Sequence, residues 1–392
     1  MKNNLILGLA LITILFSCST DDTSDIIIND NSVINNNGGG TADPETIFLS
    51  GTYTQDLTLD PNNTYLLNGA LIMEAGTTLE IPACMTIEAL ASGADVYVAI
   101  SQGAKIIANG TADCPIVFTS NASSPAAGDW GGLILLGRAP INSVTGSATA
   151  TSEIAGLPFG GTNESDDSGI LNYVRVEYSG GAADGQSENN GFSFYGVGNS
   201  TTVEYIQAFE VKDDGIEFFG GTVNASYVSV VNAQDDSIDW TEGYTGSITN
   251  AYVKHGANHD KGIEADGYNT DFSNEAGYFS KPTVTNLTII GNGSSTGNEA
   301  IRLRAGTQGI FNNIWIEGFE EGFDLDGDGG DSPTGAGVLS GDLSVTDVTF
   351  TDVTLKMKND TAETLAESDF ISGDGNATGT DYATWGASWT VE

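Results

Sequence analysis

Basic residues are scarce in this chain. Lys and Arg number 12 against 53 Asp and Glu over 392 residues, a formal net charge of −41. Such a surface repels phosphate, so nucleic acid is excluded as a partner; cations, cationic ligands and neutral glycans remain open. Histidine is nearly absent, with only two residues, and the i, i+4 pair His255 and His259 falls in a turn after a strand rather than on a helix, which argues against a transition-metal pair. Proline is rare at 9 residues, and no segment carries a sustained helical apolar period. The one long apolar run, residues 5–16, is too short to span a bilayer. Cysteine is limited to Cys18, Cys84 and Cys114.

What is abundant is glycine, 51 residues without a collagen period, as expected for tight turns between short strands. The strongest internal order lies in residues 205–266. Tyr205-Ile206, Tyr227-Val228 and Tyr252-Val253 each precede by ten residues a second strand start, at Ile216, Ile238 and Ile263. Repeats of 22 and then 25 residues, each with two short alternating strands, predict a solenoid. Without helical periodicity that solenoid is a parallel β-helix with coils of about 22–27 residues. The same logic aligns Gly76-Thr-Thr-Leu-Glu-Ile81 with Gly103-Ala-Lys-Ile-Ile-Ala108, and identifies Asp347-Val-Thr-Phe350 as a late coil.

Four segments follow in order. Residues 1–17 read as a secretory signal, with Lys2 ahead of the apolar run. Residues 18–45, rich in Asn, Asp, Ser and Gly, read as a flexible tether. Residues 46–392 form one β-helix domain, broken by an insertion near 138–169 and a smaller one at 271–281, and closed by a C-terminal cap near 372–392 containing Trp385 and Trp389. Cys84 and Cys114 fall at nearly equivalent places on adjacent coils, where the coil spacing lies within disulfide range; the alternative is two separately buried thiols.

Stacking turns equivalent positions into columns. Ile216/Phe218, Ile238/Trp240 and Ile263/Ala265 are expected inside, and Glu217, Asp239 and Glu264 outside. Just before the strands lie Asp213-Asp214, Asp235-Asp236 and Asp260-Lys261. Three readings of this acidic face stand open: turn-forming Asp that bond local backbone, Ca²⁺ bridged by carboxylates, and a glycosidase site. A second candidate is Asp324, Asp326, Asp328 and Asp331, acidic oxygens at alternate positions with glycine between, which suit Ca²⁺, although an EF-hand's twelfth-position Glu is replaced by Gly335.

Several segments resemble known families. Leu15-Phe16-Ser17-Cys18 resembles a bacterial lipobox, and the resemblance implies that Cys18 is diacylated and becomes the mature N-terminus; Asp21-Asp22 behind it resembles the acidic export tag of Bacteroidetes surface lipoproteins. GAKIIANGTADCPIVFTS at 103–120, GDWGGLILLGRAPIN at 128–142 and DDGIEFFGGTVNASYV at 213–228 resemble large exported β-helix lipoproteins of Bacteroidetes and other Gram-negative bacteria. That resemblance implies a pectin-lyase-like right-handed parallel β-helix and no particular activity, while the acidic tag implies the outer membrane, facing out. The acidic face is also similar in order to polygalacturonase-like hydrolases, which would cast Asp214, Asp235, Asp236, Lys261 and Arg302 as catalytic, with Lys261 standing where that family has His. The expectation is therefore a lipid-anchored surface protein that binds a glycan or an outer-membrane partner through Glu217, Asp239 and Glu264, the alternative being a polysaccharide hydrolase or lyase.

Overall fold

The computed structural model describes residues 45–183, 189–268, 278–327 and 333–392. The signal segment, Cys18 and nearly all of the tether lie outside the described residues, as do Asp328 and Asp331.

The described residues form a right-handed parallel β-helix. Ile216–Phe219 pairs in parallel with Ile238–Thr241, Ile238 opposite Ile216, and the next coil sets Ile263 opposite Ile238. The column continues through Ile301 and Phe323. All five side chains are at most 1 % exposed and fill the lumen. The alternation of apolar and polar residues fixes this register, because a slip of one residue would turn the acidic column inward. In the earlier coils Leu79 lies opposite Ile106, and a disulfide joins Cys84 to Cys114 with Cα atoms 4.3 Å apart.

The longer strands bend at one recurrent position. Tyr173, Tyr205, Tyr227, Asn250, Asn286, Asn313 and Asp347 all adopt left-handed φ, between 50° and 58°. Asparagine tolerates that conformation, and the amides of Asn250, Asn286 and Asn313 bond along the column at 2.9 and 2.8 Å. Tyrosine does not favour it; there the rings of Tyr173, Tyr205 and Tyr227 stack at 4.2 and 4.1 Å, which offsets the backbone cost.

The insertion near 138–169 leaves the helix after Leu133–Leu136 and returns at Gly169–Glu177. Its hairpin, Thr149–Thr151 with Pro158–Gly160, sets Ile154 and Phe159 against Leu136, Tyr195 and Phe219 on the outside of the coils. A second, smaller core results.

The C-terminus differs from the expected cap. Only its start closes the helix: Phe370 meets Phe323 edge-on, and Ile371–Asp374 pairs with the strand Leu343–Asn359. The rest doubles back along the bent column. Tyr382 stacks on Tyr252 at 3.8 Å, and Trp389, 1 % exposed, meets Tyr173 and Tyr205 edge-on. The physical reason is the stacked tyrosine column, whose ring edges and faces give Tyr382, Trp385 and Trp389 aromatic partners.

Candidate functional site

The turn before each short strand is built for close approach of coils. A Cβ at Gly215 would lie 2.7 Å from the Ser237 carbonyl, and one at Gly262 would lie 2.7 Å from the Ala300 carbonyl. These turns set the paired acidic positions one above another. Asp214 Oδ1 accepts the amide N–H of Asp236 at 3.0 Å, and Asp236 Oδ1 accepts that of Lys261 at 2.7 Å. One oxygen of each is thus used by the backbone of the next coil, which is the turn-ladder reading in structural form. Asp214 is 8 % exposed and Asp236 4 %.

Three residues further along each strand stand Glu217, Asp239 and Glu264, cross-strand partners on consecutive coils. They point away from the lumen as expected, yet they do not face open water: Glu264 is buried, and Glu217 and Asp239 are only partly exposed. Carboxylate atoms of Asp214, Glu217 and Asp239 lie within 4.8 Å of one another, and so do those of Asp236, Asp239 and Glu264. Asp239 belongs to both groups, and its buried Oδ1 has no hydrogen-bond partner among the described residues.

Counter-groups bracket this cluster. On one side the Asn190 amide donates to Glu217 at 2.6 Å. On the other, the Lys261 ammonium sits 3.2 Å from Glu264, 2.5 Å from Asp260 and 3.9 Å from Asp236. Arg304 reaches Glu264 at 2.5 Å and Asp266 at 2.6 Å. Burial raises the carboxyls of Asp214, Glu217, Asp236 and Asp239 well above the ordinary range, and their neighbours raise them further: Asp239 acts on Asp214, Asp214 on Glu217, Glu264 on Asp236, and Glu217 on Asp239. Lys261 opposes this only at Asp236. Burial works against the Lys261 ammonium, but Asp236, Glu264 and Asp260 outweigh it and hold it charged. Asp235 joins Asp213 and Asp214 in a further carboxylate group, and Asp236 and Asp260 in another.

Arg302 does not join the central cluster. It bonds Asp326, with Nε 3.1 Å from Oδ2, and stands 3.9 Å from Asp324. Asp324 and Asp326 each face Arg302, and Asp328 and Asp331 of the same expected Ca²⁺ loop lie outside the described residues. Asp324 is a strand residue, 2 % exposed, opposite Arg302 on one coil and Lys358 on the next. Burial pushes its carboxyl up to about 6, against the pull of Lys358. His255 is buried against His259 and Phe319, where burial and then His259 hold its imidazole down to about 3.

Sequence reasoning did not identify Lys358 as part of this face; Arg304 lies opposite Asp266 in the strand register, where the repeat places it. A separate groove of about 620 Å³ runs between the tyrosine stack and the C-terminal segment. Both faces of the Tyr205 ring are taken by Tyr173 and Tyr227, so this groove offers no free middle ring for stacking a sugar.

No curated protein and no solved structure matches the chain. A family model does, over residues 51–390, a span covering every coil described above. With its strands stacked in parallel around one lumen, the chain belongs to the family of pectate-lyase-like β-helix domains.

Proposed function

We propose that the protein is a lipid-anchored, outward-facing β-helix that binds an extracellular glycan on the carboxylate face centred on Asp239. The observation that carries this reading is an excess of acceptors. Asp239 has a buried oxygen without a donor, flanked by Glu217 and Glu264 on adjacent coils. Sugar hydroxyls supply the donors that such carboxylates lack. The net charge of −41 favours a neutral glycan over a polyuronate. Anchoring rests on Leu15-Phe16-Ser17-Cys18 and the following Asp21-Asp22. A glycan-array screen of the purified chain tests the reading: retention of a neutral glycan, lost in Asp239→Asn, supports it, and no retention by the wild type overturns it. Cys18→Ala should release the protein from membranes.

A second reading, polysaccharide cleavage, is favoured by the raised carboxyls of Asp214 and Asp236 beside Lys261. Against it, each carboxylate already holds a backbone N–H. Release of reducing or unsaturated ends from a polysaccharide panel, abolished by Asp236→Asn, would favour cleavage over binding.

A further inference from the structure

The repeat that builds the face around Asp239 recurs three coils later. Asp214 and Glu217, then Asp236 and Asp239, occupy the turn and strand positions of consecutive coils. The next two coils put Lys261 with Glu264 and Glu299 with Arg302 in those places, and the coil after them has Glu321 with Asp324. The basic side chains therefore separate two carboxylate groups along one face. The second group is Glu299, Glu321 and Asp324, each with an oxygen within 4.8 Å of the other two. Glu299 and Glu321 are direct cross-strand partners, so the backbone register fixes their approach.

Proximity alone would make this a solvated acidic patch. The burial says otherwise. Asp324 is 2 % exposed, and its Oδ1 has no hydrogen-bond partner among the described residues; the buried Oε2 of Glu321 has none either. Buried acceptors left without donors are rare and destabilising. The nearby cations do not supply the missing bonds. Lys358 Nζ is 3.5 Å from Glu321 Oε2 and 3.8 Å from Asp324 Oδ2, beyond good hydrogen-bonding distance, and lies closer to Asp360 at 3.2 Å. Arg302 is directed to Asp326. Two donor-less buried oxygens in a group of three converging carboxylates, with Lys358 and Arg302 both too far from Asp324 to bond it, suit a divalent ion. Oxygens up to 4.8 Å apart can share one ion at Ca²⁺–oxygen distances of about 2.4 Å.

We infer that Glu299, Glu321 and Asp324 form a Ca²⁺ site, with Lys358 as its built-in competitor. Water completes the coordination from the Lys358 side, whose side chain is 34 % exposed and can swing away. Magnesium, which demands shorter octahedral bonds and gives up its waters reluctantly, is disfavoured. This inference is independent of the glycan reading, which concerns the cluster around Asp239.

The test is calorimetric Ca²⁺ titration of the chelator-treated full chain at fixed ionic strength. Glu321→Gln and Asp324→Asn should each weaken one binding event at least tenfold. Lys358→Gln should tighten it several-fold, because it removes the competing charge without touching a ligand. Asp239→Asn should leave it unchanged, and Mg²⁺ should bind at least tenfold more weakly. Should Asp324→Asn fail to fold, Glu299→Gln at the partly exposed edge of the site is expected to weaken binding likewise. No Ca²⁺ binding by the wild type, binding indifferent to Glu299, Glu321 and Lys358, or binding lost only in Asp239→Asn would each overturn the assignment.

Discussion

Asp236 and Lys261 meet twice. One carboxylate oxygen accepts the lysine's backbone N–H at 2.7 Å, and the same oxygen lies 3.9 Å from the lysine's ammonium. The first contact belongs to the coil stack and the second to the electrostatics of the face. Asp236→Asn preserves a backbone acceptor and loses the charge, whereas Asp236→Ala also leaves a buried N–H unpaired. Alanine should therefore cost about 1–3 kcal/mol more than asparagine in urea unfolding at neutral pH. Equal losses would mean that the backbone contact contributes nothing.

Lys261 is 5 % exposed and faces Asp236, Asp260 and Glu264. Lys261→Met leaves those carboxylates without their ammonium, and removal of one partner of a buried ion group costs about 3–5 kcal/mol. Equilibrium unfolding that shows less than about 1 kcal/mol would place the ammonium in solvent rather than among the carboxylates.

The pH dependence has a definite sign. Asp214, Glu217, Asp236 and Asp239 carry raised carboxyls in the folded state, first through burial. Such groups stabilise the fold fully below their unfolded values, near pH 4, and that contribution is lost as pH rises through the folded values. His255, held down to about 3, acts oppositely: its contribution is present above its unfolded value near 6.5 and fades as pH falls towards 3. In chelator, Asp239→Asn should therefore gain stability relative to the wild type as pH rises from about 4, because it removes one carboxyl whose contribution is lost in that direction and leaves His255 untouched. A wild-type-to-variant difference in melting temperature that stays constant with pH would contradict the burial of the cluster.

The Cys84–Cys114 disulfide spans a sequence separation of 30. A closed loop of that length restrains the unfolded chain by roughly 3 kcal/mol. The double substitution Cys84→Ala/Cys114→Ala should lose about that much, read as a shift of the urea midpoint without a change in circular dichroism of the folded state.

Trp389 tests the C-terminal segment. Its indole is 1 % exposed, donates to the Trp385 carbonyl at 2.7 Å and meets Tyr173 and Tyr205. Trp389→Ala should destabilise by about 3–5 kcal/mol while leaving any binding at Asp239 intact, since the two lie on different sides of the coil. Loss of binding in a folded Trp389→Ala protein would join the two surfaces.

The coil stack was legible in sequence because it is local and periodic. Ile216, Ile238 and Ile263 announce both the period and the inward face, and Glu217, Asp239 and Glu264 follow from alternation alone. The site was legible only as columns. That Asp214 and Asp236 give an oxygen to the next coil's backbone depends on turn geometry that composition does not encode. Asp326 belongs to the apparent Ca²⁺ loop in sequence, and its bond to Arg302 one coil earlier could not be read there. The C-terminal segment carried no period to read. Its aromatic residues suggested a cover, but a cover for an open end and one for the tyrosine stack look alike until the docking surface is known.

Arg175 reaches the Trp389 carbonyl, and Gln207 exchanges two hydrogen bonds with the backbone of Val391. These partners are 214 and 184 residues apart. The coils can stack through contacts between neighbours, but their tyrosine flank stays bare until residues 382–391 dock on it. Sealing that seam is a long-range step, expected to be slower than the stacking of adjacent coils.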